Sequence, residues 1–360
     1  LLAIGSSPAF DPNLFVNGIS VNDYNGLIED DHRPLVSKSV QGTYPPGSTF
    51  KMVTALAALE AGIVSSEDTY RCKGHLEVYS QKFGCWKRSG HGNVDLVRSL
   101  RESCDVYFYE LALETGIERI SEMARRLGIG ERHDIPMSAV AEGLAPTKEW
   151  KNRVKGEDWV IGDSVNASIG QGFVLASPLQ LAVMTARLAT GRAVTPRLIK
   201  TIDGVEQPSG AGAPMGLNEN HLRQIRKGMY EVVNHGSGTA RGSRITSPDH
   251  QMAGKTGTSQ VISRRVKCDE VPWRQRDHAL FVNYAPYDNP RIAVSIVVEH
   301  GCGGSSTAAP IARDITLQAL YGEDPPLSAY PARDRGRISA QQKRLREMRP
   351  PVQGEEPERA

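Results

Sequence analysis

The chain has 360 residues, 39% of them hydrophobic, and its 43 Lys and Arg against 41 Asp and Glu leave a net charge of +2. That length supports one large domain or two ordinary ones, and the balanced charge excludes a global field that would attract nucleic acid or an acidic partner. No run approaches the roughly 20 apolar residues of a membrane span, and the opening "LLAIGSSPAF" lacks the basic start and cleavage pattern of a signal peptide.

"LLAIGSSPAF" reads instead as a core strand whose beginning lies upstream, so the chain is expected to be a fragment. Residues 45–62, "PPGSTFKMVTALAALEAG", open with turn residues and run through alanine and leucine at helical spacing, which predicts a buried helix ending at Gly62. From Tyr70 to Val94 the pattern dissolves into glycine, charge and cysteine, an irregular excursion of the length that signals function or an internal staple. Helices are expected at about 105–115, 117–127, 177–190 and 218–233, and a last one at about 306–321.

Residues 251–261, "QMAGKTGTSQV", read as a strand, and 279–300 as two strands joined at "YDNP". With the opening strand they predict an antiparallel sheet built from both ends of the sequence with helices between them, an α/β (α+β) fold. After Tyr321 the chain turns rich in proline, arginine and glutamate, a composition that cannot bury a core. The expected organisation is one domain over 1–322 and a flexible tail over 323–360.

Ser48 and Lys51 lie three apart at a helix start, so their side chains share a face. A serine hydroxyl is a poor nucleophile until its proton is taken, and a lysine can take it only when desolvation or a second cation lowers its pKa. The shift required is about three units, or about 4 kcal/mol. Lys255 of "KTGT" is an available second cation, and the helix N-terminus at Ser48 offers N–H groups where an oxyanion would form. Each signal is weak alone. Together, "STFK" at 48, "SCD" at 103 and "KTGT" at 255 form the three-part signature of penicillin-binding proteins and class A β-lactamases.

With "FDPNLFVNGIS", "QGTYPPGSTFK", "SIGQGFVLASPLQLA" and "AGKTGTSQ", the sequence over about 1–320 resembles the transpeptidase domain of class B penicillin-binding proteins. Within them it is most similar to the penicillin-binding protein 2 group of the rod-elongation system, which shares Asp105 where most of the superfamily has asparagine. The resemblance implies the transpeptidase fold, an antiparallel sheet flanked by helices plus an all-helical lobe. It also implies peptidoglycan D,D-transpeptidase activity. Ser48 would form an acyl-enzyme on a D-Ala-D-Ala stem peptide, Lys51 would act as base, Ser103 as proton relay and Lys255 as electrostatic partner. The Ser48 and Thr258 N–H groups would form the oxyanion hole, the Thr256 and Thr258 hydroxyls would hold the substrate carboxylate, and Gly257 between them belongs to the same substrate-binding strand. Asp105 is expected to hold Lys51 or Ser103 in place or to face the substrate amide, or only to cap the helix that begins near it, readings that are compatible, and "SIGQG" is expected to shape the cleft.

Further implications are β-lactams as ligands, a SEDS-family glycan polymerase and elongation-complex scaffold proteins as partners, and a place on the periplasmic face of the inner membrane, anchored by a helix outside this chain. A D,D-carboxypeptidase, a β-lactamase or a non-catalytic penicillin-sensing domain are the alternatives, and no residue stands out as a dedicated deacylating glutamate.

Cys72, Cys85, His91 and Cys104 fall within 33 residues, and three thiolates with one imidazole complete the tetrahedral shell of a structural zinc. The rival reading is a disulfide, most simply Cys72 with Cys85, since the resembled family works in an oxidising compartment. Some penicillin-binding protein 2 relatives hold zinc in this region through aspartate, histidine and cysteine, and this resemblance favours the metal. No organic cofactor is expected. Cys268 and Cys302 are expected to be free thiols, although strand ends could bring them together.

Overall fold

The computed structural model describes residues 1–262 and 267–348. In chain order, a peripheral helix α1 (Val21–Glu29) precedes α2 (Lys51–Glu60). Four short strands follow, β1 (Tyr70–Cys72), β2 (His75–Val78), β3 (Gln81–Gly84) and β4 (Gly92–Val94). Then come α3 (Leu96–Arg101), α4 (Asp105–Thr115), α5 (Ile117–Arg126), α6 (Lys148–Lys155), α7 (Ile161–Ser168) and α8 (Pro178–Thr190). A small hairpin, β5 (Thr201–Ile202) and β6 (Val205–Glu206), leads to α9 (Glu219–Asn234) and the main strands β7 (Ala253–Ser259), β8 (His278–Ala285) and β9 (Ile292–Val298). The helices α10 (Ala309–Tyr321) and α11 (Arg335–Met348) follow.

The main sheet is antiparallel in the order β7-β8-β9, with Lys255 opposite Val282 and Phe281 opposite Ile296. On one side lies a helical lobe whose core includes Phe50, Leu56, Tyr107, Phe108 and Leu111. At its centre, Lys51 to Leu59 of α2 are all buried, as a helix apolar on every face requires. On the other side α10 closes a second core of Phe281, Ala309, Ala312 and Leu317. Among the described residues no helix is long and apolar enough to cross a membrane.

The expected helices form within a few residues of their sequence limits. The "SPLQ" start of α8 shows why: Ser177 and Gln180 make a reciprocal capping box, with Pro178 in the first turn. The helix expected at about 306–321 forms as α10, entered through a π turn over Gly304–Ala308. Two expectations fail. Residues 1–6 form no strand and Leu2 is 81% exposed, so the sheet has no contribution from the start of the chain. "GSSP" breaks the apolar run after four residues.

Nor is the chain after Tyr321 a free tail up to Met348. Tyr330 and Ile338 are buried against the second core, and the fully buried Arg313 donates to Asp334 at 2.5 Å and faces the Tyr330 ring. A buried guanidinium needs a carboxylate beside it, and the polar segment supplies one. The rest of the expected tail, 349–360, lies outside the described residues.

Candidate active site

Ser48 sits in a 3-10 turn, Gly47–Phe50, that leads directly into α2. The turn presses onto β7 because Gly47 has φ +54° and donates its N–H to Gly170 O at 2.9 Å; a Cβ on it would lie 2.5 Å from Thr258 O. Gly257 gives the same contact from the strand side, where a Cβ would meet Thr49 Cγ2 at 2.9 Å. Two glycines thus bring the Ser48 backbone beside Thr258, as two converging oxyanion donors require.

Lys51 Nζ is fully buried and spends its three donors on Ser103 O (2.9 Å), Ser103 Oγ (3.2 Å) and Asp105 Oδ1 (2.7 Å). Lys255 Nζ, also fully buried, donates to the same Ser103 Oγ at 2.9 Å. One hydroxyl therefore joins the two lysines. Burial, reinforced by the charge of Lys51, holds the Lys255 ammonium well below the usual lysine range. Ser103 is placed by a left-handed backbone, φ +54°, a conformation that costs a non-glycine residue about 1 kcal/mol or more.

The alternatives for Asp105 are now separable. It is the first residue of α4, where Cys104 holds the cap position without a side-chain bond, so Asp105 is no cap. Its carboxylate holds Lys51 on one oxygen and accepts the Trp86 N–H at 2.8 Å on the other. Trp86 also donates its indole N–H to the Glu102 and Ser103 carbonyls at 3.0 Å, anchoring the excursion to the serine motif.

Thr256 Oγ1 bonds Thr239 Oγ1 at 2.9 Å, while Thr258 is exposed at the strand end. Thr239 lay outside the sequence-derived set, since "SGTA" carries no spacing rule that ties it to "KTGT". Within "SIGQG", Gln171 Nε2 donates to Thr258 O at 3.1 Å and Gly170 receives Gly47, so the segment shapes the cleft as expected.

Cys72, Cys85, His91 and Cys104 are all buried, with ligand atoms within 4.8 Å of one another. His91 Nδ1 lies 3.6 Å from Cys72 Sγ and 3.5 Å from Cys85 Sγ. A tetrahedral zinc with ordinary Zn–S and Zn–N lengths has an S···N edge of about 3.6 Å, so the donor set has the size of the metal's shell. His91 Nε2 is buried without a protein partner. The hydrogen bond between Cys104 and Cys85 holds the Cys85 thiol far below, and pushes Cys104 far above, the usual thiol range.

No disulfide joins Cys72 to Cys85, and Cys104 is in none either. The expectation of free thiols at Cys268 and Cys302 is wrong, for the two form a disulfide with Cα atoms 5.8 Å apart. Cys268 lies in the β7–β8 connection and Cys302 just after β9, so the antiparallel pairing returns both to one end of the sheet.

Fold and site together carry the three motifs, "STFK", "SCD" and "KTGT", on one cleft. The chain belongs to the penicillin-binding protein transpeptidase domain family, whose model matches residues 1–317. It is 41% identical over 320 residues to the peptidoglycan D,D-transpeptidase MrdA of Acinetobacter baumannii, covering 86% of this chain and 47% of that protein. Among solved structures, Pseudomonas aeruginosa PBP2 in complex with WCK 5153 has a TM-score of 0.77 at 39% identity, over 88% of this chain and 67% of the other. Helicobacter pylori PBP2 in complex with MreC has a TM-score of 0.80 at 37% identity, over 89% and 58%. The chain spans about half the length of the curated relatives it matches.

Proposed function

We propose that this chain is the catalytic part of a peptidoglycan D,D-transpeptidase of the PBP2 type, which crosslinks stem peptides during rod elongation and is acylated by β-lactams. The observation that carries the reading is the Ser103 hydroxyl bonded to both Lys51 and Lys255 beside the serine turn. Acting as the base requires Lys51 to be the neutral amine, and the Ser103 hydroxyl between the two amines gives the proton it takes up a way onward. Lys51 then takes the Ser48 proton as Ser48 Oγ attacks the carbonyl of the penultimate D-alanine. The Ser48 and Thr258 N–H groups receive the oxyanion, Ser103 delivers the proton to the departing D-alanine, and Thr256 and Thr258 hold its carboxylate. An amine of a second stem resolves the acyl-enzyme.

A structural Zn2+ held by Cys72, Cys85, His91 and Cys104 belongs to the same proposal. It would supply only a crosslink between the excursion and the start of α4, since four protein ligands leave no open position. By resemblance, the full protein is anchored at the periplasmic face of the inner membrane and works with a glycan polymerase and scaffold proteins.

The test is intact-mass analysis after incubation with a labelled β-lactam, followed by addition of donor and acceptor strands. A stable adduct that Ser48→Ala abolishes, and crosslinked product from wild type, are expected. An adduct elsewhere, or one that water clears at once, would sink the transpeptidase reading.

A further inference from the structure

We propose that a cavity at the N-terminal end of α7 is a subsite for the amino-sugar backbone of the substrate polymer; the inference rests on the transpeptidase reading. The cavity, of about 510 Å³ and open to solvent, lies between α6 and the loop before α7 and is lined by Trp159, Asn152, Asp158, Lys148 and the Glu149 and Arg153 pair. That volume falls in the range of small-molecule sites.

Its connection to the cleft is direct. Phe173, two residues beyond the Gln171 that bonds Thr258, stacks its ring between Trp150 (5.3 Å) and Trp159 (6.3 Å). The loop is pinned from beneath, where buried Lys151 donates to Asp158 O (2.9 Å) and Asp163 Oδ2 (2.8 Å). The Trp159 indole is itself fixed by donation to Ser164 Oγ at 2.8 Å. By contrast, the Asn152 amide and Asp158 carboxylate have no side-chain partner among the described residues.

The lining selects a chemistry. Lys148 and Arg153 balance Asp158 and Glu149, so the lining has no net charge to select an ion, and its charged rim disfavours a purely apolar ligand. A neutral pyranose with one C–H face for the indole, and hydroxyl and acetamide groups for Asn152 and Asp158, satisfies both parts of the wall.

Its position also agrees with the polymer. The reactive D-alanine is roughly the fourth stem residue from the sugar, an extended reach of about 13 Å. The eight-residue α7, whose far end meets the serine turn through Gly170, spans about 12 Å.

The test is calorimetric titration of the chain with a soluble disaccharide-tetrapeptide and with the same tetrapeptide lacking sugar. The sugar-bearing ligand is expected to bind at least fivefold tighter, and the exposed-site variants Asn152→Ala and Asp158→Ala to cut that advantage below twofold. No advantage in wild type, or one retained in both variants, overturns the subsite. The β-lactam adduct is read on the same wild-type sample. Its absence fails the transpeptidase reading, whereas an adduct without a sugar advantage fails the subsite alone.

Discussion

Asp105 shows how much one side chain settles at this site. Its two oxygens tie Lys51 of α2 to Trp86 of the excursion, in a pocket where Lys51 has no solvent contact. Asp105→Asn keeps the shape but leaves one acceptor oxygen where two served, so Lys51 Nζ and the Trp86 N–H can no longer both be satisfied. A loss of about 3 kcal/mol in stability is expected, with acylation by a β-lactam slowed at least roughly tenfold. Denaturant melts and stopped-flow acylation measure the two effects, and unchanged acylation would contradict the positioning role.

At the scale of elements, the site depends on how closely the serine turn meets β7. Gly47→Ala places a Cβ 2.5 Å from Thr258 O at a positive φ, so the turn must withdraw from the strand. The variant is expected to lose about 1 kcal/mol or more and most of its acylation rate, while Gly62→Ala, with open space at its Cβ, keeps the acylation rate.

The next strand carries a pH dependence. His278 at the start of β8 accepts the His300 N–H through Nδ1, and burial followed by the charge of His300 lowers its pKa to about 4. The unfolded chain takes up this proton near pH 6.5 and the folded chain only near 4, so stability falls as pH drops through that window and levels below it. His278→Gln, which retains an acceptor, should flatten that part of the melting-temperature profile.

Across the whole molecule, two groups of cysteines sit where loops meet the regular elements. The buried cysteine–histidine cluster lies between the excursion and the start of α4, and the Cys268–Cys302 disulfide closes a separation of 34 residues at one end of the main sheet. Purified protein is expected to contain about one zinc per chain. Cys104→Ser should lower both the metal content and the acylation rate. Cys302→Ala should leave the metal in place and cost about 3 kcal/mol of stability. Elemental analysis with thermal melts distinguishes them, and a full zinc load in Cys104→Ser would exclude that thiol as a ligand.

The catalytic motifs were legible because Ser48 and Lys51 lie one helical turn apart, and "SCD" and "KTGT" further along complete, in order, a known three-part signature. The long helices were legible too, since their period and caps are written in neighbouring residues, as in "SPLQ" of α8. The sequence by itself therefore determined the motifs and the longer core helices, and it grouped Cys72, Cys85, His91 and Cys104 without deciding between a metal and a disulfide. Only the tertiary structure decided that Asp105 pairs with Lys51 rather than capping α4, that Thr239 meets Thr256, and that Cys268 joins Cys302. It also withdrew the first residues from the sheet and set Tyr330 and Ile338 into a core. In each case the partner lies far along the chain, and long-range contact is a property of packing that no local pattern encodes.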